Sequence, residues 1–441
     1  MNKEKWIQCA LGMGLDEFEI YQDESFEKGI SWFDGKMDGF ETSHITGTSI
    51  RGTIDGKMGS MALEQVCDDQ CERVISQLMD SIEYICSKEK DHLRKPEPIE
   101  WIHKDINWVQ PSMDLVYDTI QYLEKQAYKM DERVIQVSHI SWNESKSTRS
   151  IFNSHDMNVT DHNQLQYLAM SVVVKEKDEV KTHNEIEIVE DLNLFNRDEF
   201  LSKLIHKSIL KLNSTSYPSQ KMKVIFEKNA MTSLFSSFMG LFSGDLIYKG
   251  ISCLKGKENQ KIFSDLITIV DDPKNLESLT ICCFDDEGCP TRKKKLVEKG
   301  IYRVALQSTK SASRLHTEST GNGFKSGYAS PVSVQPMNCC IKPGHLSLDS
   351  MIQEMKDGIV IEELAGLHSG IDFVSTNFSL QASGYLVVNG KRDRSISLIT
   401  VAGNFMDLMN QVICVGNDLD WSYRTIASPS IYFKECSISG E

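Results

Sequence analysis

The spacing of apolar residues changes period several times along the chain, and each change marks a new element. From Glu17 to Phe26 the apolar residues Phe18, Ile20 and Tyr21 fall among charged ones, as in a half-buried strand. Asp34-Gly35 and Asp55-Gly56 are hairpin-turn pairs. The second pair separates Thr48–Ile54 from Lys57–Leu63 and predicts a β-hairpin. Val66, Val74, Ile75, Leu78 and Ile82 then recur at helical spacing, so a helix is expected from about Leu63 to Cys86. The charged, proline-bearing stretch from Lys88 to Pro98 reads as a linker.

A second unit begins at Pro111-Ser112, where Ser112 can cap a helix carrying Met113, Val116, Tyr117, Ile120, Leu123 and Ala127. Strand-like runs follow at Val134–Ser141, Arg149–Asn153, Leu165–Lys175 and Val180–Val189. Asn196 opens another helix, with Phe200, Leu201, Leu204, Ile205, Ile209 and Leu212 on its apolar stripe. The polar run Asn213 to Gln220 closes this unit. From Met222 onward the pattern has one helix, with Met231, Leu234, Phe235, Phe238, Met239 and Phe242 ended by Ser243-Gly244. Short strands and frequent turns follow, including a hairpin signal at Asn389-Gly390. The fold class is therefore α+β. An N-terminal α+β domain spans residues 1–95 and a middle α+β domain 105–215, both with antiparallel sheets; a mostly-β domain, barrel- or sandwich-like, spans 221–441.

Composition narrows the function classes. With 40% apolar and 25% charged residues the chain is an ordinary globular protein. No apolar run approaches the roughly 18–20 residues of a membrane span. The first thirty residues are too polar for a secretory leader, so a cytoplasmic protein without membrane contact is expected. The 48 basic against 63 acidic residues, a net −15, argue against direct nucleic-acid binding. The only dense basic run, Arg292-Lys293-Lys294-Lys295, reads as a solvated helix start after the turn at Gly288-Cys289-Pro290. Twelve cysteines include no Cys-x-x-Cys, and Cys67 and Cys71 read as small apolar side chains packed on a helix. Reduced thiols fit that usage.

Local catalytic motifs are missing. There is no His-Glu-x-x-His, Gly-x-Ser-x-Gly or Walker loop, and the run Gly321-Asn322-Gly323-Phe324-Lys325-Ser326-Gly327 lacks a phosphate loop's ending, so it reads as an ordinary glycine loop. His155 and His162 flank a turn, and His183 shares a strand face with Glu185; all read as exposed polar positions. His316 and Glu318, placed just before the glycine loop, read the same way.

Several motifs nevertheless occur in a telling order. They are Ser243-Gly244-Asp245, Val270-Asp271-Asp272-Pro273, Ser319-Thr320-Gly321-Asn322-Gly323, Glu362-Glu363-Leu364, Asn377 through Tyr385, and Thr400-Val401-Ala402-Gly403-Asn404. In this order they resemble the TldD/PmbA (TldE) family, once called modulators of DNA gyrase and regarded as metalloproteases. The resemblance covers nearly the full chain. In the zinc-bearing, TldD-like members it implies a helix with His-Glu-x-x-x-His and a distant cysteine: two imidazoles and a thiolate hold zinc, and the glutamate is the base. Counted from Ser243-Gly244-Asp245, the two histidine positions fall here on Phe235 and Gly240 and the glutamate on Ser236; the cysteine position falls on Gln381. None of these four suits zinc. The chain thus resembles the PmbA/TldE branch, and no cofactor is expected in it; zinc is expected only in a TldD-like partner.

The resemblance implies a non-catalytic subunit that pairs with a TldD-like protease, or with itself, around unfolded peptide substrates. Phe238, Met239 and Phe242 offer an interface, although plain core is the simpler account of them. Two other readings stay open. One is a peptidase or other hydrolase with a relocated site, its fallback candidates being His316, Glu318, His368 and Asp372. The other is a homodimeric binding or structural protein without a proteolytic partner. One departure from the family pattern concerns a turn: the usual Gly-Asp before Phe-Ser is Thr376-Asn377 here.

Overall fold

The computed structural model describes residues 1–86 and 89–440; Lys88, where the expected linker begins, lies outside the described residues. Helix α1 (Lys3–Met13) leads into the strands β1 (Glu17–Phe33), β2 (Lys36–Ile54) and β3 (Lys57–Leu63), with α2 (Cys71–Glu83) behind them. Then come α3 (Met113–Met130), β4 (Val134–Asn153), β5 (Asn158–Glu176), β6 (Glu179–Ile188) and α4 (Arg197–Ile209). Both expected hairpin turns join their strands, Asp34 and Asp55 taking the positive φ such turns require. The expected caps are present too: Ser112 accepts from Leu115 and Asn196 from Glu199.

Two readings change. The expected helix from Leu63 begins only at Cys71, because Leu63 ends β3 and Asp68–Gln70 form a 3-10 turn. Cys71 packs in the core as expected, whereas Cys67 is exposed. The runs Val134–Ser141 and Arg149–Asn153 are one 20-residue strand, its middle polar and therefore invisible to a search for apolar alternation.

The two α+β units share a single antiparallel sheet, ordered β3-β2-β1-β4-β5-β6. At about 3.3 Å per residue its longest strands run about 60 Å. One end of its helical face holds Phe18, Ile20, Ile50 and Leu63 against α1 and α2. The other end holds Ile30, Trp142, Leu168 and Met170 against α3 and α4. Between them the same face is mostly polar, carrying Glu24 paired with His44 and Lys28 paired with Glu144 around the partly exposed Phe26. The apolar pattern thus reports two units because there are two cores, while the backbone pairing beneath them is continuous.

The C-terminal unit contains a closed five-stranded barrel. Strand Gln220–Phe226 runs parallel to Gly358–Ala365. From there the pairing is antiparallel through Asn377–Val388, Lys391–Asn404 and Ile431–Ser439, and the last strand returns to Gln220–Phe226. A smaller sheet includes Ile269–Asp271, Lys294–Glu298 and Cys339–Ile341. The basic run is therefore not a helix start: Lys294 and Lys295 open a strand, and Lys294 is buried. All twelve cysteines are unpaired thiols.

Candidate functional site

The helix on which the sequence resemblance places Phe235, Ser236 and Gly240, α5 (Lys228–Phe238), starts at Glu227, whose carboxylate accepts the Asn229 N–H at 2.8 Å. Burial pushes that carboxyl up to about 6, and Asp418 and Glu362 add to the shift. The helix stops at Phe238, earlier than its apolar stripe implies. Met239–Phe242 tighten into a 3-10 turn, Ser243 is extended, and Gly244 opens α6 (Gly244–Tyr248) instead of ending a helix. A Cβ on Gly244 would lie 1.9 Å from the Gln307 side-chain amide, so any other residue there requires Gln307 to move.

Phe235 is 1% exposed and belongs to the same core cluster as Leu234, Phe238 and the barrel residues Ile361 and Val401. Phe238 stacks on Phe405 with ring centroids 4.4 Å apart. Met239 and Phe242 are buried in the same core, so these residues offer no exposed interface. Ser236 is half-buried. At Gly240 an added Cβ would meet the Phe373 ring at 3.1 Å and Leu246 at 3.2 Å, so those side chains would have to give by a few tenths of an ångström. Gln381 is exposed, on a barrel strand between Ala365 and Thr400. A buried phenyl ring, a glycine, a half-buried hydroxyl and an exposed amide do not make a zinc-binding set. Among the described residues, no group of three or more His, Cys, Asp or Glu side chains is arranged to hold a metal ion.

The four fallback residues do not form a constellation. His316 caps the C-terminus of α7 (Thr309–Leu315) in the left-handed conformation and is exposed. Glu318 points to solvent, 3.9 Å from Arg292. His368 is exposed in a turn. Asp372 accepts the N–H groups of Val374 and Ser375, which lowers its pKa. No hydrogen bond or ion pair among the described residues joins any two of the four. Two other histidines are less exposed than their sequence setting implies: His155 bonds Glu17 at 2.8 Å, and His183 lies 3.4 Å from Glu185. Thr376, at the family's glycine position, takes φ +60 and is buried. The left-handed turn is therefore kept, at a cost of about 1–2 kcal/mol for a β-branched residue.

The largest concentration of enclosed charge lies elsewhere. Asp285, Asp286 and Glu287 are all buried where the loop after Phe284 meets the six-stranded sheet, on the face opposite its helices. Asp285 accepts three backbone N–H groups, from Glu287, Cys289 and Gly323, at 2.8–3.0 Å. Burial, with Glu287 adding to it, raises the Asp285 carboxyl to about 7. Asp286 takes Arg149 at 2.8 Å and the Tyr21 hydroxyl at 3.2 Å. Glu287 accepts the Thr309 N–H at 2.6 Å and faces Arg51, which donates to Glu19 at 2.5 Å. Lys325, lowered to about 8 by burial and then by Arg51, donates to Ser49. Beside this nest the Lys294 ammonium contacts Asp271, Thr320 and Asn322 at 2.7–3.0 Å. The glycine loop is therefore no ordinary solvated loop: Thr320 and Asn322 are buried and donate or accept in that network. The sequence signal for the nest was three consecutive acids before Gly288-Cys289-Pro290; their cationic partners lie far away along the chain.

A closed barrel with a buried helix at its core, docked on a long antiparallel sheet through paired charges, defines the class of molecule. Residues 219–440 match the PmbA/TldA metallopeptidase C-terminal domain and residues 108–210 its central domain. The chain belongs to this PmbA/TldD family of metallopeptidases. It is 24% identical to Metalloprotease PmbA of Escherichia coli O157:H7, covering 99% of this chain and 94% of that protein. In structure it is similar to a Thermotoga maritima protein named as a candidate modulator of a DNA gyrase (25% identity, TM-score 0.88, 99% of both chains). TldE from Thermococcus kodakarensis shares the fold, with TM-score 0.88, 24% identity and 99% of both chains.

Proposed function

We propose that this chain is a PmbA/TldE-like, non-catalytic subunit of a cytoplasmic metalloprotease that degrades or matures unfolded peptides. One observation supports the reading: Phe235, which the sequence resemblance sets at a zinc-ligand position of TldD-like members together with Ser236, Gly240 and Gln381, is part of the barrel's hydrocarbon core. A buried phenylalanine contributes about 3–5 kcal/mol to stability, which gives this helix a structural role in place of a catalytic one. The subunit's partner is a TldD-like chain or a second copy of itself, zinc belongs to the TldD-like chain alone, and no nucleic acid is bound.

The test is to purify the protein alone and together with a zinc-bearing TldD-like chain, then measure zinc content and peptidase activity on an unfolded peptide. The expected result is zinc-free, inactive protein alone and chelator-sensitive hydrolysis by the pair. Stoichiometric zinc with chelator-sensitive hydrolysis by the lone chain overturns the proposal.

A further inference from the structure

We propose that the cleft of about 560 Å³ bounded by Arg94, Glu97, Pro290, Arg292, Thr317 and Glu318 binds a compact oxyanion, a carboxylate or a phosphate, with Arg94 as its anchor. The cleft lies where the chain leaving the first helical unit crosses the Cys289–Arg292 loop and the last turns of α7. Its volume is in the range of small-molecule sites. It lies apart from α5, and the proposal does not rest on the subunit reading.

The fixed charge in this cleft is Arg94. Its backbone is held by Asn153, whose amide donates to the Arg94 carbonyl at 2.8 Å, and its side chain is only 16% exposed. The guanidinium presents five N–H donors, but among the described residues the one side chain it bonds is Glu97. Its Nε is enclosed without a hydrogen-bond partner and out of reach of the cleft, so a ligand would bond the terminal N–H groups. Glu97 is 52% exposed and joined to Arg94 by a three-residue tether, so it is a displaceable partner. Arg292 adds a second cation at the rim, donating to the Ser319 carbonyl at 3.1 Å and standing 3.9 Å from the solvent-facing Glu318. The carboxylates that line the cleft are thus wet, while Arg94 is largely enclosed and has the buried Asp285 near it on the protein side. Charge attraction grows as solvent is excluded, so an incoming anion gains more here than an incoming cation. Guanidinium also matches the two-oxygen geometry of carboxylate and phosphate.

The probes are trialanine with a free C-terminal carboxylate, trialanine amide, and inorganic phosphate, each titrated calorimetrically into the full chain at low salt. Saturable binding of trialanine or of phosphate below about 10 mM, with the amide silent, is expected. Arg94→Met should weaken that binding at least about tenfold, the loss expected for a charge-assisted hydrogen bond. Because Arg94→Met also leaves Glu97 without its partner, Glu97→Gln is the second variant; it frees the guanidinium and should tighten binding about two- to fivefold. Equal binding of acid and amide, no saturable binding of either anion, or a Glu97→Gln protein that binds more weakly overturns the proposal.

Discussion

Helix α5 and the Asp285–Glu287 nest are both buried in the C-terminal half of the molecule, and they reach the interior by opposite chemistry. Around α5 the buried side chains are hydrocarbon, Phe235 and Phe238 among them, so burial is stabilising by itself. In the nest, three consecutive acids are enclosed, and each needs cations or backbone N–H groups delivered from distant strands. The first region tolerates change in proportion to the volume lost. The second tolerates change only if charge remains matched, because removing one member strands another in a poor solvent.

The largest effect is expected where a single cation serves several buried partners. Lys294→Met leaves Asp271, fully buried, without its ammonium and deprives Thr320 and Asn322 of a donor. A loss of about 3–5 kcal/mol in urea denaturation is expected. A loss under about 1 kcal/mol would show that the network is wet or rearranges, and would erase the contrast with α5.

Next comes the apolar side. Phe235→Ala should cost about 3–4 kcal/mol, whereas Phe235→Leu, which keeps most of the volume, should cost under about 1.5 kcal/mol. If both variants are equally harmful, shape-specific contacts outweigh burial in this helix, and the volume argument fails.

These two regions also explain what the sequence made legible. Period, hairpin pairs and caps are local, so the elements around Asp34-Gly35, Asp55-Gly56, Ser112 and Asn196 stand as read. The burial of Phe235 was legible because it already fitted an apolar stripe at helical spacing. The nest was not legible, since Tyr21, Arg51 and Arg149 meet Asp286 and Glu287 across more than a hundred residues and nothing in local pattern encodes that meeting. The continuous sheet escaped for a related reason: the polar middle of β1 and β4 has no apolar period, yet backbone pairing runs straight through it.

The comparison extends to pH. Burial raises Asp285 to about 7 in the folded chain, while an unfolded aspartate titrates near 4. The folded state therefore holds a proton that the unfolded state has lost between those values. The Asp285 contribution to stability is present below about pH 4, falls as pH rises toward 7, and is gone above it. Glu227, raised to about 6, has the same sign. Denaturation midpoints should accordingly decline from pH 5 to pH 7, with a slope from Asp285 of at most about 1.4 kcal/mol per pH unit. Asp285→Asn should flatten that decline even though the Gly323 N–H then faces an amide. An unchanged slope in the variant would place the titration elsewhere.

The smallest effect is expected one residue from the largest. Lys294 and Lys295 are neighbours on the same strand, so the pleat sends them to opposite faces. The Lys294 side chain is 7% exposed and the Lys295 side chain 52% exposed. Lys295 pairs with Glu298 at the surface, where water screens the attraction and holding two long side chains in one geometry offsets much of the gain. Lys295→Ala should therefore change stability by less than about 0.5 kcal/mol, and what it does change should vanish in high salt. Lys294→Met should be nearly insensitive to salt, since its partners are shut away from the ions. If the two variants shared one salt dependence, the buried network would be reached by solvent. A run of four basic residues read as one solvated patch is then two environments or one, and the salt titration decides which.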